Sequence, residues 1–200
     1  HQNLVLGADS VTEYLDITEK DTILAMLPLS FDYGLNQVLT ALQQNATCVL
    51  HDYFLPGDIL RQVAKHRVTA LAGVPPLWHQ LLQLEWPKDI AQNVRYITNS
   101  GGVFSEKLKK LAQEKLPSTD IYLMYGLTEA FRSTYLSPSE INNKPNSIGK
   151  AVPNAEILIV RENGDICDNY EVGELVHRGP LVSMGYWNQT ALTANRFKRA

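Results

Sequence analysis

The stretch that decides the fold spans residues 94–124, VRYITNSGGVFSEKLKKLAQEKLPSTDIYLM. It begins and ends with short apolar runs, 94–98 and 120–124, each about the length of a buried strand. Between them, apolar residues recur at the spacings of three and four that define one helix face: Leu108, Leu111, Ala112 and Leu116. Ser105 stands where a helix N-cap is expected. The pattern predicts a strand–helix–strand unit, from which parallel sheets are built.

The same alternation extends along most of the chain. Further apolar runs predict strands, and the segments between them have helical spacing. The predicted strands are 22–27, 46–50 and 68–74, and the predicted helices are 33–43, 58–67, a helix from Pro75-Pro76 to about residue 84, and 190–197. Strands and helices that alternate in this way predict an α/β fold with a largely parallel sheet and flanking helices.

The C-terminal part has a different pattern. Residues 155–161 and 173–177 have the composition of antiparallel strands, and Asn163-Gly164 between them is a strong tight-turn signal. We therefore divide the chain into an α/β part, residues 1–138, and a β-rich part, residues 139–200.

Composition and charge exclude several classes of protein. Hydrophobic residues make up 44% of the 200 residues and the formal net charge is −3, which excludes a disordered chain and argues against a nucleic-acid binder. No stretch approaches the ~20 apolar residues of a membrane span. Cys48 and Cys167 are too few for a disulfide framework. We expect a cytoplasmic protein with no nucleic-acid partner and no membrane span.

Several common signatures are absent. No Gly-x-Gly-x-x-Gly follows a strand, and Gly149-Lys150 lacks the other residues of a Walker loop. The sequence has no Gly-x-Ser-x-Gly elbow and no Cys-x-x-Cys pair, and its five histidines have no metal-ligand spacing. A nucleotide would therefore have to be bound by a different motif.

The chemically richest segment is Tyr125-Gly126-Leu127-Thr128-Glu129, which directly follows a predicted strand. Ligands of open α/β sheets bind at the carboxyl ends of the strands. There an aromatic ring can stack on a base, a glycine permits close approach to the backbone, a hydroxyl can contact phosphate and a carboxylate can hold Mg²⁺. The alternative, which the spacing alone leaves equally open, is an ordinary strand end with Thr128 as a helix cap.

A second loop, Asn99-Ser100-Gly101-Gly102, follows the predicted strand 94–98. Its paired glycines expose backbone groups that can line the edge of an adenine. The alternative is an ordinary strand-to-helix turn before Ser105. If the two strands are neighbours, both loops face one crevice, and that arrangement favours a nucleotide site.

The segment Tyr125–Glu129 resembles the Tyr-Gly-x-Thr-Glu signature of AMP-forming adenylating enzymes, which include acyl-CoA synthetases, peptide-synthetase adenylation domains and luciferases. Other segments resemble that family's motifs and occur in its order. They are His1–Leu4 (just after the phosphate loop), Leu27–Gly34 (the Leu-Pro substrate-pocket motif), Val74–Pro76, Ser100–Gly102 (the adenine loop), Ser147–Pro153 and Gly173–Trp187. The runs LPLSFDYGLNQVLTAL and LAGVPPLW resemble, more narrowly, acyl-CoA ligases associated with exosortase systems.

The resemblance implies a two-step reaction on a small carboxylic acid. The carboxylate attacks the α-phosphate of ATP to give acyl-AMP and pyrophosphate, and coenzyme A, or a carrier protein in its place, then takes the acyl group. It also implies roles for individual residues. Tyr125 would stack on adenine, Ser100, Gly101, Gly102 and Gly126 would line the nucleotide, Thr128 would contact phosphate, and Glu129 would hold Mg²⁺.

Parts of the family's pattern are missing. The phosphate loop would precede His1, and the ribose-binding Asp motif and the lid with its catalytic lysine would follow Gly185-Tyr186. We therefore expect an internal piece of the large N-terminal domain, with little or no activity alone. A non-catalytic homologue that binds a nucleotide or a partner is the alternative, and intact Thr128 and Glu129 argue against it.

Two substrate classes remain open. Many acyl-CoA ligases have His at the position of Phe31, whereas peptide-synthetase domains have a Phe-Asp pair whose Asp holds the substrate's amino group. Phe31-Asp32 matches that pair, so an amino acid is the alternative substrate. Asp32 could instead be the N-cap of the helix that follows. Phe31, Tyr33 and Asn99 are the other pocket candidates.

Overall fold

A computed structural model describes residues 1–198. Its strands are β1 (Thr22–Ala25), β2 (Thr47–Leu50), β3 (Ala70–Gly73), β4 (Tyr96–Asn99), β5 (Asp120–Tyr125), β6 (Thr134–Leu136), β7 (Lys150–Ala151), β8 (Glu156–Val160) and β9 (Glu174–Arg178). Its helices are α1 (Gln2–Leu15), α2 (Asp32–Gln43), α3 (Pro56–His66), α4 (Pro75–Leu81), α5 (Lys88–Ala91), α6 (Glu106–Lys115) and α7 (Thr190–Arg196), with a 3₁₀ turn at Pro138–Glu140.

Seven strands form the main sheet in the order β2-β1-β3-β4-β5-β6-β7. The strands from β2 to β5 are parallel, and β6 and β7 join antiparallel at one edge. A separate antiparallel pair, β8 and β9, follows. The predicted α/β class with a largely parallel sheet and flanking helices is therefore confirmed.

Successive residues of the parallel strands point to opposite faces of the sheet, as the strand period of two requires. Ile23, Ala70 and Tyr96 pack in one core with Val11 and Leu15 of α1. Their neighbours Leu24, Leu71 and Ile97 pack in the larger core on the other face, which takes apolar residues from α3, α4 and α6. Both faces are covered, which explains why the central strands are apolar throughout.

Local sequence explains where several helices begin. The Ser105 hydroxyl accepts a hydrogen bond from the Leu108 amide at 3.3 Å, so this residue caps α6 as predicted. Pro75 opens α4 and Pro56 opens α3, at positions where a missing N–H costs nothing. Asp58 accepts from the Leu55 amide at 2.9 Å and thereby satisfies a further free N–H at the start of α3.

The structure adds elements that the sequence patterns do not predict, notably α1, β6 and β7. Because β7 pairs with β6, the main sheet includes residues on both sides of position 138. The division of the chain into 1–138 and 139–200 stays a prediction. Among the described residues, no helix has both the length and the apolar character needed to cross a bilayer.

Candidate active site

The loops predicted to carry chemistry all leave the same edge of the sheet. They follow the carboxyl ends of β1, β3, β4 and β5, which lie side by side. The sheet order reverses between β1 and β3, since β2 lies outside β1 and β4 outside β3. Such a reversal opens a crevice at the carboxyl edge of a parallel sheet, where ligands of this architecture bind.

A cleft of about 710 Å³ opens at this edge, beyond β4 and β5. Gly101 and Gly102 line it from the loop after β4, and Tyr125 and Gly126 line it from the end of β5. The segment 145–148 contributes the facing wall. The two glycine-containing loops thus face one crevice, and neighbouring β4 and β5 are what bring them together.

Glycine is required at two of these positions for different reasons. Gly101 has a φ of +76°, a conformation that side-chain-bearing residues seldom adopt. A Cβ at Gly126 would lie 2.9 Å from the Phe131 carbonyl oxygen and 3.0 Å from Nη1 of Arg132. Any larger residue at position 126 would therefore push the motif loop away from the chain that returns into β6.

Thr128 and Asp32 meet at the carboxyl edge of the sheet, where the loop after β5 reaches the start of α2. The Thr128 hydroxyl donates to Oδ1 of Asp32 at 3.2 Å. Residues 128–130 form a turn that leads to β6, so Thr128 caps no helix. Phe31, in extended conformation, is the N-cap of α2, and Asp32 is the first residue inside the helix. Both helix-cap alternatives are therefore wrong, and the structure instead joins the two side chains.

Arg132 lies beneath this pair and is 2% exposed. Its Nη1 is 3.7 Å from Oδ2 of Asp32 and donates to the Ser100 hydroxyl at 3.4 Å. Its guanidinium carbon is 4.8 Å from the centre of the Tyr33 ring, within cation–π range. One buried cation thus connects the start of α2, the loop after β4 and the loop after β5.

The remaining pocket candidates lie deeper than their sequence positions indicate. Tyr33 is buried, its hydroxyl is hydrogen-bonded to Thr98, and burial raises the pKa of its phenol. Asn99 is buried at the end of β4, where Nδ2 donates to the Gly102 carbonyl at 2.9 Å and holds the loop in shape. Phe31 packs edge-on against Tyr33, with the ring centres 6.1 Å apart.

Glu129 is the one carboxylate of the motif. It accepts a hydrogen bond from the Tyr186 hydroxyl, which lowers the pKa of Glu129 and keeps its side chain ionised. Its carbonyl accepts from the Ser183 amide at 2.7 Å, so the segment 183–186 braces the motif loop. Among residues 1–198, no group of three His, Cys, Asp or Glu side chains is placed to hold a metal ion. The Glu129 carboxylate has the chemistry of a Mg²⁺ ligand, since this ion takes carboxylate, phosphate and water oxygens.

Comparison with known proteins decides the family. Residues 1–187 match the model of the family described as AMP-binding enzyme.

The chain belongs to the AMP-binding enzyme family.

The chain is 32% identical to the 2-succinylbenzoate–CoA ligase of Bacillus subtilis over 197 residues, which are 98% of this chain and 40% of that protein. It is 28% identical to a long-chain-fatty-acid–CoA ligase of the same organism, over 97% of this chain and 35% of that protein. The O-succinylbenzoate coenzyme A synthetase of Bacillus subtilis, solved with ATP and magnesium ion, superimposes with a TM-score of 0.89 at 31% identity, over 98% of this chain and 41% of that chain.

This member of the AMP-binding family spans about 40% of the length of the relatives it matches. Sequence reasoning missed two residues of its site, Arg132 and Tyr186. Arg132 lies three residues beyond the recognised motif, between Phe131 and Ser133, where the local sequence gives no sign that an arginine is buried. Tyr186 is 57 residues away from its partner Glu129. Arg132 reaches the site because the chain turns back into β6, and Tyr186 reaches it because segment 183–186 packs against the motif loop.

Proposed function

We propose that the protein is an AMP-forming acid–thiol ligase that activates a carboxylic acid with ATP and transfers the acyl group to coenzyme A. The observation that carries this proposal is the cleft at the carboxyl edge, because the glycine loop after β4 and the first two residues of the motif, Tyr125 and Gly126, line it together in a chain of the AMP-binding family. CoA ligases among the relatives favour coenzyme A over a carrier protein as the acceptor. We place the reaction in the cytoplasm, where ATP and coenzyme A are available.

Each motif residue has a physical task in that reaction. The ring of Tyr125 offers a stacking face for adenine, worth on the order of 1–3 kcal/mol by analogy with base stacking on aromatic side chains. Gly101, Gly102 and Gly126 leave room for the nucleotide to approach the backbone. Ser100 and Asn99 hold this loop through their contacts with Arg132 and Gly102.

Thr128 and Glu129 would face the charge that develops as the substrate carboxylate attacks the α-phosphate of ATP and pyrophosphate leaves. The Thr128 hydroxyl, now donated to Asp32, is the donor that phosphate would take over. Glu129 is ionised and would hold Mg²⁺, which neutralises phosphate charge when bound. Tyr186 orients the Glu129 carboxylate by occupying Oε1, so the other oxygen stays available to the ion.

Acid-dependent exchange of pyrophosphate into ATP tests the proposal, with protein produced from the complete reading frame. A panel from acetate to palmitate, with benzoate, amino acids and hydroxy acids, should contain acids that support exchange and yield CoA thioesters. Tyr125→Ala should raise the KM for ATP about tenfold, the loss of ~1–3 kcal/mol of stacking. Tyr170→Ala, fully exposed in the loop before β9, is the matched control.

Two results would contradict the proposal. The first is an absence of exchange with every acid in the panel, which would favour a non-catalytic nucleotide-binding homologue. The second is a KM for ATP that is the same in Tyr125→Ala as in the control Tyr170→Ala. The 200-residue chain alone should exchange far more slowly than the complete product, because the phosphate loop and the lid lysine of the family have no counterpart in it.

A further inference from the structure

Arg132 is a buried cation with poor pairing. A guanidinium removed from water needs close, charge-assisted partners to offset its lost hydration. The two that Arg132 has are distant, 3.4 Å to the Ser100 hydroxyl and 3.7 Å to the Asp32 carboxylate. Nε and Nη2 have no hydrogen-bond partner in the part of the chain that the structure describes. Arg132 packs against Ser100 and Gly126 in the two loops that border the cleft, and buried donors left unmet beside a cleft are candidates for a ligand.

The polar surroundings extend inward from Arg132. Tyr33, whose ring lies under the guanidinium, also lines a small internal cavity of about 20 Å³ beside α2. Asn36 and Gln37 line the same cavity, and Nδ2 of Asn36 and Oε1 of Gln37 are buried without partners among the described residues. The rest of the cavity lining is largely apolar, so these two unmet atoms cost free energy that a polar guest atom would recover and a methylene group would not.

Arg132 also determines what the Asp32 carboxylate can bind. Asp32 already accepts from Thr128 and lies in the field of the Arg132 cation. A substrate ammonium placed against Asp32 would lie within a few ångströms of that cation, and like charges in a poorly solvated site repel strongly. A hydroxyl, oxo or carboxylate oxygen at the same point would meet unused N–H donors instead.

We infer that Arg132 is a specificity-determining residue that selects carboxylic acids carrying an oxygen acceptor on their chain and rejects amino acids and unsubstituted fatty acids. The inference rests on the proposed ligase function, because it names the substrate class of the same site. In this arrangement the Arg132–Asp32 pair carries no net charge. Asp32 holds the Arg132 cation in place, and Arg132 provides the N–H donors that bind the substrate oxygen. Asp32 then does not serve as the receptor of a substrate amino group.

Matched acids test the inference most directly. Three trios differ only in whether ammonium, hydroxyl or methyl stands on the α, β or γ carbon. They are alanine, lactate and 2-methylpropanoate; β-alanine, 3-hydroxypropanoate and butanoate; and 4-aminobutanoate, 4-hydroxybutanoate and pentanoate. The readout is kcat/KM for pyrophosphate exchange by the complete gene product. In at least one trio the hydroxy acid should exceed the methyl acid by about tenfold or more, the value of a hydrogen bond to a charged donor, and the amino acid should be slowest.

The variants Arg132→Met and Arg132→Lys separate recognition from structure. Arg132→Met keeps an unbranched apolar stem and removes the guanidinium with its charge, so the hydroxy-to-methyl preference should collapse to within about twofold. Asp32 then loses its cation, and the amino acid should gain about tenfold relative to the methyl acid. Arg132→Lys should restore part of the hydroxy preference. Because each readout is a ratio within one protein, a change in the folded fraction does not move it.

Arg95→Met is the control for loss of an arginine–aspartate pair elsewhere. Arg95 pairs with Asp21 at the opposite edge of the sheet, so this variant should leave every ratio unchanged. Ratios that are the same in Arg132→Met and wild type would overturn the inference, as would a wild type that prefers an amino acid or an unsubstituted acid in every trio and across the panel. Those results leave the ligase function standing. Absence of exchange with all acids would instead contradict the proposed function, and the inference with it.

Discussion

Arg95 and Arg132 occupy opposite edges of the same sheet and differ in how they are satisfied. Arg95 precedes β4, and its side chain, 37% exposed, donates to Asp21 at 2.7 and 3.1 Å and to the Leu15 carbonyl at 2.9 Å. Arg132 is almost fully buried, yet its contacts are longer than 3.3 Å and two of its nitrogens have no partner among residues 1–198. The more exposed arginine is the better bonded one.

The difference indicates that the amino edge of the sheet contributes mainly to stability and the carboxyl edge mainly to function. At the amino edge, hydrogen bonds from Arg95, Thr69 and the Thr18 amide meet on Asp21 and tie together segments distant in the chain. At the carboxyl edge, donors and acceptors remain unmet although they are buried. Proteins tolerate such a deficit where a ligand later satisfies it, so the poorly paired Arg132 is consistent with a functional role for the carboxyl edge.

Replacing one carboxylate by an amide at each edge should separate the role in activity from the role in stability. The larger effect is expected at the carboxyl edge, on activity. Glu129→Gln should slow pyrophosphate exchange by about 100-fold, because a fixed charge near the transferring centre is lost, and should change the free energy of unfolding by less than about 0.5 kcal/mol. Mn²⁺ binding in the presence of ATP, followed by electron paramagnetic resonance, should weaken in parallel. Glu162→Gln, exposed in the hairpin turn, is the control. An unchanged Mn²⁺ affinity would remove Glu129 from the ion's ligands.

The matching change at the amino edge is Asp21→Asn. It leaves the Arg95 cation without its anion, and we expect a loss of about 3 kcal/mol in the free energy of unfolding, measured by urea titration. Exchange activity per folded molecule should stay unchanged. Asp52→Asn, at an exposed position, should be neutral. A loss in Asp21→Asn as small as in Asp52→Asn would mean that the network at this edge contributes nothing.

Comparison of the two arginines themselves sharpens the contrast. Arg95→Met should cost about 2 kcal/mol, since it breaks hydrogen bonds to a charged partner. Arg132→Met should cost within about 1 kcal/mol despite deeper burial, because the desolvation of its guanidinium is poorly repaid in the folded protein. Thermal unfolding of the two variants shows which of them is the less stable. If Arg132→Met proves the more damaging of the pair, Arg132 is a structural residue.

The smallest effect expected is on pH dependence. Burial alone would raise the pKa of Asp21, but hydrogen bonds from Arg95, Thr18 and Thr69 outweigh it and lower that pKa. A carboxyl whose pKa falls on folding stabilises the protein above its unfolded pKa of about 3.9, and that contribution is lost as the pH falls through the folded value. The urea concentration at the unfolding midpoint should therefore decrease as the pH is lowered below about 4. In Asp21→Asn the same decrease should be less steep. Equal slopes in both proteins would exclude Asp21 as the titrating group.

The elements with clear periodicity were predictable from sequence, and those that depend on distant contacts were not. The strands β1 to β5 and the helices α2, α3 and α6 follow from apolar spacing. By contrast α1 has Gly7 in its interior and no side-chain cap, so local propensity argues against it. A Cβ at Gly7 would lie 2.4 Å from the ring of Phe131, which shows that close packing against a distant loop is what Gly7 permits.

The site divides in the same way. The two loops that line the cleft could be named from sequence, because glycine, aromatic and carboxylate residues stand there in the fixed order of a known family motif. Nothing local distinguishes Arg132 from a solvated arginine. Its burial depends on the return of the chain through β6 and on Tyr33 from α2, so only the assembled sheet reveals it.

The strand order of the sheet has a consequence for how the protein folds. From β4 to β7, every strand pairs with the strand before it in the chain, whereas β3 skips β2 and pairs with β1, which closes a loop from Ile23 to Ala70. Closing short loops first is entropically cheaper, so pulse-labelled hydrogen exchange should find β3 to β6 protected before β1 docks. The half of the crevice built by the loops after β4 and β5 would then form early, and Asp32 would arrive last to meet an Arg132 already in place.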